Sequence, residues 1–170
     1  MVELKTPREI SQMREAGRIV AGLLEHLAGA VEPGVTTKAL DEKAVAFIRQ
    51  QGAAPAFLGY RGFPATICVS INEEIVHGIP GERKIREGDV VSIDAGAVLH
   101  GLYADAATTV LVGAGPRTTR QLVQTTRQAL EDGIAQAVVG NRLSDISHAV
   151  QQRLEQGGLG VVREFVGHGS

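Results

Sequence analysis

Apolar residues recur at helical spacing twice near the start of the chain. Ile10, Met13, Gly17, Val20, Leu24, Leu27 and Val31 form one stripe, and Pro33-Gly34 ends it. Thr6-Pro7-Arg8-Glu9 ahead of that stripe is a capping box with proline at the first helical position. A second helix is expected to start at Thr36 or Thr37, carry Leu40, Ala44, Phe47 and Ile48 inward, and stop at Gly52. The period then changes. Residues 65–70 read as a strand, and residues 90–97 and 102–110 as two more. These last two segments are rich in small and β-branched residues, alternate poorly, and suit strands buried on both faces. Helical spacing returns with Leu122, Val123, Thr126, Leu130, Ile134, Ala137 and Val138. It returns again behind a cap at Ser144, with Ile146, Val150 and Leu154 inward. Residues 161–166 read as a final strand. The order is helix, helix, strands, helix, helix, strand, an α+β layering in which helices cover one face of a mainly antiparallel sheet. A helix pair followed by strands occurs at residues 6–110 and begins again at 117, which suggests a duplication with an unfinished second copy.

The two central strands each carry one carboxylate mid-strand, Asp94 and Asp105. A carboxylate in an apolar interior must be paired, protonated or bound to a cation. Period-two geometry places Asp94 with Ser92 and Gly96, and Asp105 with Tyr103 and Ala107. The connection between the strands is short enough for a hairpin, so both acids can face one space. No Lys or Arg lies between Arg86 and Arg117 to neutralise them. A hard-cation site is one reading, and solvated acids on an exposed hairpin face are the other.

Elsewhere the candidate chemistry is sparser. Phe57, Tyr60 and Phe63 concentrate half of the chain's six Phe and Tyr residues in a Gly- and Pro-punctuated loop, either a small satellite core or the lining of an apolar pocket. His77, in Val76-His77-Gly78, taken alone reads as a structural histidine. Gly113-Ala114-Gly115-Pro116 lacks the third glycine of a dinucleotide fingerprint and reads as a loop. His148 has no partner at helical spacing and is assigned no role. Gly167-His168-Gly169 sets an imidazole between glycines, where a ligand can approach the backbone closely.

Composition narrows the classes. Hydrophobic content of 44% supports an aliphatic core, and a net charge of −2 gives no electrostatic reason to expect nucleic acid or an acidic membrane. A single cysteine, Cys68, excludes an intrachain disulfide and a cysteine-based zinc site. The N-terminus lacks the apolar core of a signal peptide and no segment has membrane-spanning length, so the expected location is the cytoplasm.

Taken in order, Val76-His77-Gly78-Ile79-Pro80, Ser92-Ile93-Asp94, Tyr103-Ala104-Asp105 and Gly167-His168-Gly169 resemble the signature of the type I methionine aminopeptidases. The resemblance runs from the first helix to the last residue. It implies the pita-bread fold, a curved antiparallel sheet covered by helices, and one catalytic domain over residues 1–170. It implies two divalent metal ions (Co, Mn, Fe or Zn), with Asp94 holding one, Asp105 bridging both and His168 binding the other. His77 matches the catalytic position that touches substrate near the scissile bond. Tyr60, Phe63 and Phe57 match the lining of a methionine pocket, with Cys68 close to it, although Phe57 stands where a cysteine is expected. The implied partners are the N-terminal Met of nascent peptides and the ribosome. In the family the Gly-His-Gly motif continues through a second histidine and two metal-binding glutamates, whereas this sequence ends at Ser170. The expected chain is therefore C-terminally truncated, with three of five metal ligands and the second half of its fold incomplete. Two functions follow: metal-dependent removal of N-terminal methionine by the intact form, or a truncated, catalytically incomplete module that binds peptides or the ribosome.

Overall fold

The computed structural model describes residues 4–165, 167 and 168. These residues divide into two compact units, one ending at Ala114 and the other beginning at Gly115.

In the first unit, helix α1 (Pro7–Ala28) starts as its capping box requires. The Glu9 amide donates to Thr6 Oγ1 at 3.3 Å, and the Thr6 amide donates to Glu9 Oε2 at 2.7 Å. Helix α2 (Thr37–Gln50) is capped by Thr36, whose hydroxyl oxygen accepts from the Ala39 amide. Four strands follow: β1 (Ala54–Pro55), β2 (Ile67–Ile71), β3 (Val90–Leu99) and β4 (Leu102–Leu111). Every pairing is antiparallel, as the sequence suggested. β4 runs along the whole of β3 on one side, while β1 and β2 share the other. His100 and Gly101 (φ 53° and 79°) join β3 to β4 in a two-residue turn of the left-handed kind that matches strand twist.

The register divides the sheet into two unlike faces. Ile67, Val69, Ile71, Val91, Ile93, Ala95 and Ala97 point one way and pack with Val20, Leu23, Leu24, Leu27, Leu40, Ala44 and Ile48 of the two helices. Cys68, Ser70, Ser92, Asp94, Gly96, Asp105, Ala107 and Thr109 point the other way. The expectation that both central strands are buried holds for β3 only. Tyr103, Asp105, Ala106 and Ala107 of β4 are exposed, and among the described residues β4 pairs along one edge alone.

The second unit contains α3 (Arg117–Gln136) and α4 (Leu143–Gln156). Three sequence expectations change here. α4 starts one residue before the predicted cap: Arg142 is the cap residue and its amide donates to Asp145 Oδ2 at 2.7 Å, so the acid three residues on, and not a Ser144 cap, ties down the helix start. The buried line of α3 is Thr125, Ala129 and Gly133, while Leu122, Leu130 and Ile134 are exposed. Close approach to Val150, with an Asp132–Arg153 ion pair at 2.6 Å, selects the small residues for the contact. Residues 161–165 are irregular, not a strand, since no described residues pair with them. Val166, the last position of that expected strand, lies outside the described residues, as do Gly169 and Ser170.

One side chain ties the helical layer to the sheet. Asp41 of α2 accepts from the amides of Thr66 (2.8 Å) and Ile67 (3.0 Å) through the same oxygen, fixing the start of β2. Thr66 and Ile67 are both buried, so removing that acceptor strands two amides. Asp41→Ala is expected to lower stability by about 2 kcal/mol in urea unfolding followed by circular dichroism. Asp41→Asn, which keeps an acceptor oxygen, is expected to cost less than half of that, and equal losses would mean that the bonds to the β2 amides are unimportant.

Candidate active site on the polar sheet face

The polar face is built around Asp94 and Asp105. Asp94 lies opposite Ala107 and Asp105 opposite Gly96, so the two carboxylates are diagonal neighbours on adjacent strands. Diagonal positions across an antiparallel pair are roughly 7–8 Å apart at the backbone, close enough for two side chains to converge on shared ligands. On the other side of β3, Cys68 lies directly opposite Asp94. Asp94 is half-buried and Asp105 exposed, so the pair runs from the interior to solvent.

The electrostatics follow from this placement. Burial pushes the Cys68 thiol up to about 12, with the charges of Asp94, Asp105 and Asp41 adding to the effect. A negative potential therefore covers this part of the face. Further along, Ser92 and Thr109 share a hydrogen bond of 3.0 Å between their hydroxyls.

An aromatic ring closes one end. The ring of Phe57 sits where a Gly96 side chain would project, 2.7 Å from an ideal Cβ, with the Ala56 methyl at 2.8 Å. Gly96 shares its face with both acids, so Phe57 lies over the same face of the sheet. Tyr60 and Phe63 belong to the same loop, at a short 3-10 turn over Tyr60–Gly62. Phe63 is half-buried, whereas Tyr60 is 64% exposed with the Arg61 guanidinium 5.4 Å from its ring centre.

His77 is exposed, in an irregular segment, with a left-handed φ of 59°. For a residue other than glycine that conformation is strained by roughly 1–3 kcal/mol and persists where its surroundings hold it. The neighbouring Gly78 amide donates to Ser70 Oγ at 3.1 Å, which anchors the segment to the strand that carries Cys68. His168 is exposed in the second unit, whereas Asp94 and Asp105 belong to the first. Among the described residues, no group of three His, Cys, Asp or Glu side chains is gathered for a metal ion. The carboxylate pair alone fits hard divalent cations. Surface recesses of about 600 Å³ around Asn72, Arg83 and Asp89 and about 280 Å³ between α3 and α4 are lined by none of these residues. Sequence reasoning missed Ser70, and placed Gly96 on the Asp94 face without foreseeing that Phe57 would sit on it. The signal for Ser70 was a hydroxyl in the fully buried strand Ile67-Cys68-Val69-Ser70-Ile71.

The model of metallopeptidase family M24 matches residues 11–170. Methionine aminopeptidase 1 of Bacillus subtilis is 51% identical over 169 residues, covering 99% of this chain and 68% of that enzyme. The methionine aminopeptidase of Clostridium acetobutylicum is 48% identical over 170 residues, again covering 99% and 68%. The crystal structure of methionine aminopeptidase from Thermotoga maritima superposes with a TM-score of 0.97 at 42% identity, covering 99% of this chain and 68% of that one. No helix among the described residues is long and apolar enough to cross a membrane.

The seat of Phe57 on Gly96 is testable. Gly96→Ala puts a methyl group into both the ring and Ala56, and the latter cannot swing aside. The expected loss is about 1–3 kcal/mol of stability. Phe57→Ala combined with Gly96→Ala is expected to recover part of it, read as a non-additive shift in melting temperature. Strict additivity would mean that the ring does not lie against Gly96.

Proposed function

The chain belongs to metallopeptidase family M24, and from that premise we propose that it supplies the carboxylate face of a metal centre that removes N-terminal methionine from nascent peptides. One observation carries the reading: Asp94 and Asp105 share a sheet face as diagonal neighbours, with an aromatic ring beside them. The similarity to methionine aminopeptidases supports the choice of substrate.

In this reading Asp94 and Asp105, with the imidazole of His168, would hold divalent ions (Mn, Fe, Co or Zn). Carboxylate oxygens with one imidazole suit those metals. When bound, such ions supply Lewis-acid polarisation of the scissile carbonyl and lower the pKa of an attacking water. Phe57 shields the carboxylates from bulk water on one side. With Tyr60, Phe63 and the Cys68 thiol it offers an apolar slot to the methionine thioether, whose soft, flexible chain fits aromatic surroundings. His77 contacts the substrate near the bond that is cut, and peptides emerging from the ribosome are the natural substrates.

Titration calorimetry with Mn²⁺ on the 170-residue chain tests the site. Asp94→Asn and Asp105→Asn are each expected to weaken binding about tenfold or more, since each removes a charged ligand. Glu131→Gln, on exposed α3, is expected to leave it unchanged. Equal affinity in all four proteins would remove the carboxylate pair from the metal site. Methionine release from the tripeptide Met-Ala-Ser is expected to require Mn²⁺ and to fall by more than about 100-fold in either aspartate variant. Carboxylate-dependent Mn²⁺ binding without methionine release would leave the chain a binding module.

A further inference from the structure

The segment that carries His77 is held by hydrogen bonds and hardly at all by apolar packing. Ile75, Val76 and Ile79 around it are 64, 44 and 62% exposed, so little apolar burial fixes their backbone. Two buried hydroxyls do so instead. Ser70 Oγ accepts from the Gly78 amide at 3.1 Å, while the Val69 amide donates to the Gly78 carbonyl at 2.9 Å. Contact is so close that a side chain at Gly78 would collide with the Val69 carbonyl oxygen. Three residues on, Thr37 Oγ1 accepts from the Gly81 amide at 2.8 Å and donates to the Gly81 carbonyl at 3.1 Å. The Lys38 amide at the start of α2 donates to the same carbonyl at 2.9 Å. Residues 78–81 are thus tied at one end to the β2 edge of the polar face and at the other to the first turn of α2.

Ser70 and Thr37 are each 3% exposed. A buried hydroxyl is unfavourable unless it is hydrogen-bonded, and each of these directs its bonds at this one loop. The left-handed backbone of His77 directly precedes the first anchor. Ser70 also shares a face with Cys68, the residue opposite Asp94, so the anchor fixes the loop to the strand that adjoins the Asp94 strand. We propose that Ser70 and Thr37 are positioning residues: they hold the loop in the one conformation that presents His77 to the substrate. This inference rests on the reading of His77 as a substrate contact.

The test uses the full ¹⁵N-labelled chain with the tripeptide Met-Ala-Ser as probe, its affinity read by NMR titration. Ser70→Ala is expected to speed hydrogen exchange at the Gly78 amide about tenfold, the loss of one hydrogen bond. It is also expected to weaken tripeptide binding by a factor of about three to ten, as is the near-isosteric Thr37→Val acting from the other end. His77→Ala is expected to weaken binding about tenfold, and adding Ser70→Ala to it to bring no further loss. Ser70→Thr, which keeps the hydroxyl, is expected to restore both readouts. A purely structural role for Ser70 would instead give additive losses with His77→Ala. That result, unchanged exchange at Gly78, or faster exchange with undiminished binding, would overturn the inference. If His77→Ala binds the tripeptide as well as wild type, or wild type does not bind it, the reading of His77 falls and this inference falls with it. Should Ser70→Ala fail to fold, Thr37→Val carries the same double-mutant comparison.

Discussion

β3 is paired along both edges, so each of its side chains must point to one face of the sheet or the other. That alternation governs the first unit. A shift of one residue in the register would exchange the two sets and bring Asp94 into the helices. The register is strongly specified, because Ile67, Ile71, Val91 and Ile93 are each fully buried against α1 and α2. Each such side chain contributes about 1.5–3 kcal/mol relative to exposure, so a slip would forfeit several of these at once. The aliphatic face thereby fixes where the acids stand, although it touches no ligand.

With stability supplied from the helical side, the opposite face is free to be small and polar. Along β2, β3 and β4 it carries Cys68, Ser70, Ser92, Gly96, Ala107 and Thr109 around the two carboxylates. None of these is larger than threonine, the bulkier Val98 and Tyr103 of this face pair at the turn end of the hairpin, and Phe57, brought in from a loop, takes the place left by Gly96. Bulky residues here would add packing and cover the two carboxylates. The same economy holds for the His77 loop, whose apolar residues lie outward while two hydroxyls beneath hold its backbone.

What could be read from the sequence was local or strictly periodic. The Thr6 capping box, the two N-terminal helices, the β3–β4 hairpin and the common face of Asp94 and Asp105 all follow from rules that reach only a few residues. The ordered motifs pointed to the pita-bread fold and to the family, and the likeness to the Thermotoga maritima enzyme bears this out. Apart from the α4 cap, which moved by a local bond, what failed depended on partners outside the segment being read. Periodicity found the α3 helix but could not tell which side would meet α4, and the small side of Thr125, Ala129 and Gly133 was preferred to the larger apolar one. Residues 161–165 have strand-like composition, but a strand exists only with a hydrogen-bonded neighbour. Ser70 looked like an ordinary strand residue because its bond to Gly78 joins positions eight apart across an irregular loop.

Cys68 shows how far the acid pair shapes its surroundings. Burial is the leading cause of its raised pKa, followed by Asp94, Asp105 and Asp41, and together they take the thiol from 9.0 to about 12. Near neutral pH the thiol therefore keeps its proton. The linkage has a definite sign. The folded thiol holds its proton where an unfolded one has released it, so its contribution to stability is complete below about pH 9 and is lost as the pH rises towards 12. Around neutrality nothing changes, and Cys68 acts as a small, soft, uncharged surface. Burial first, and the acids second, thus keep a neutral thiol opposite Asp94, on the face that carries the carboxylates.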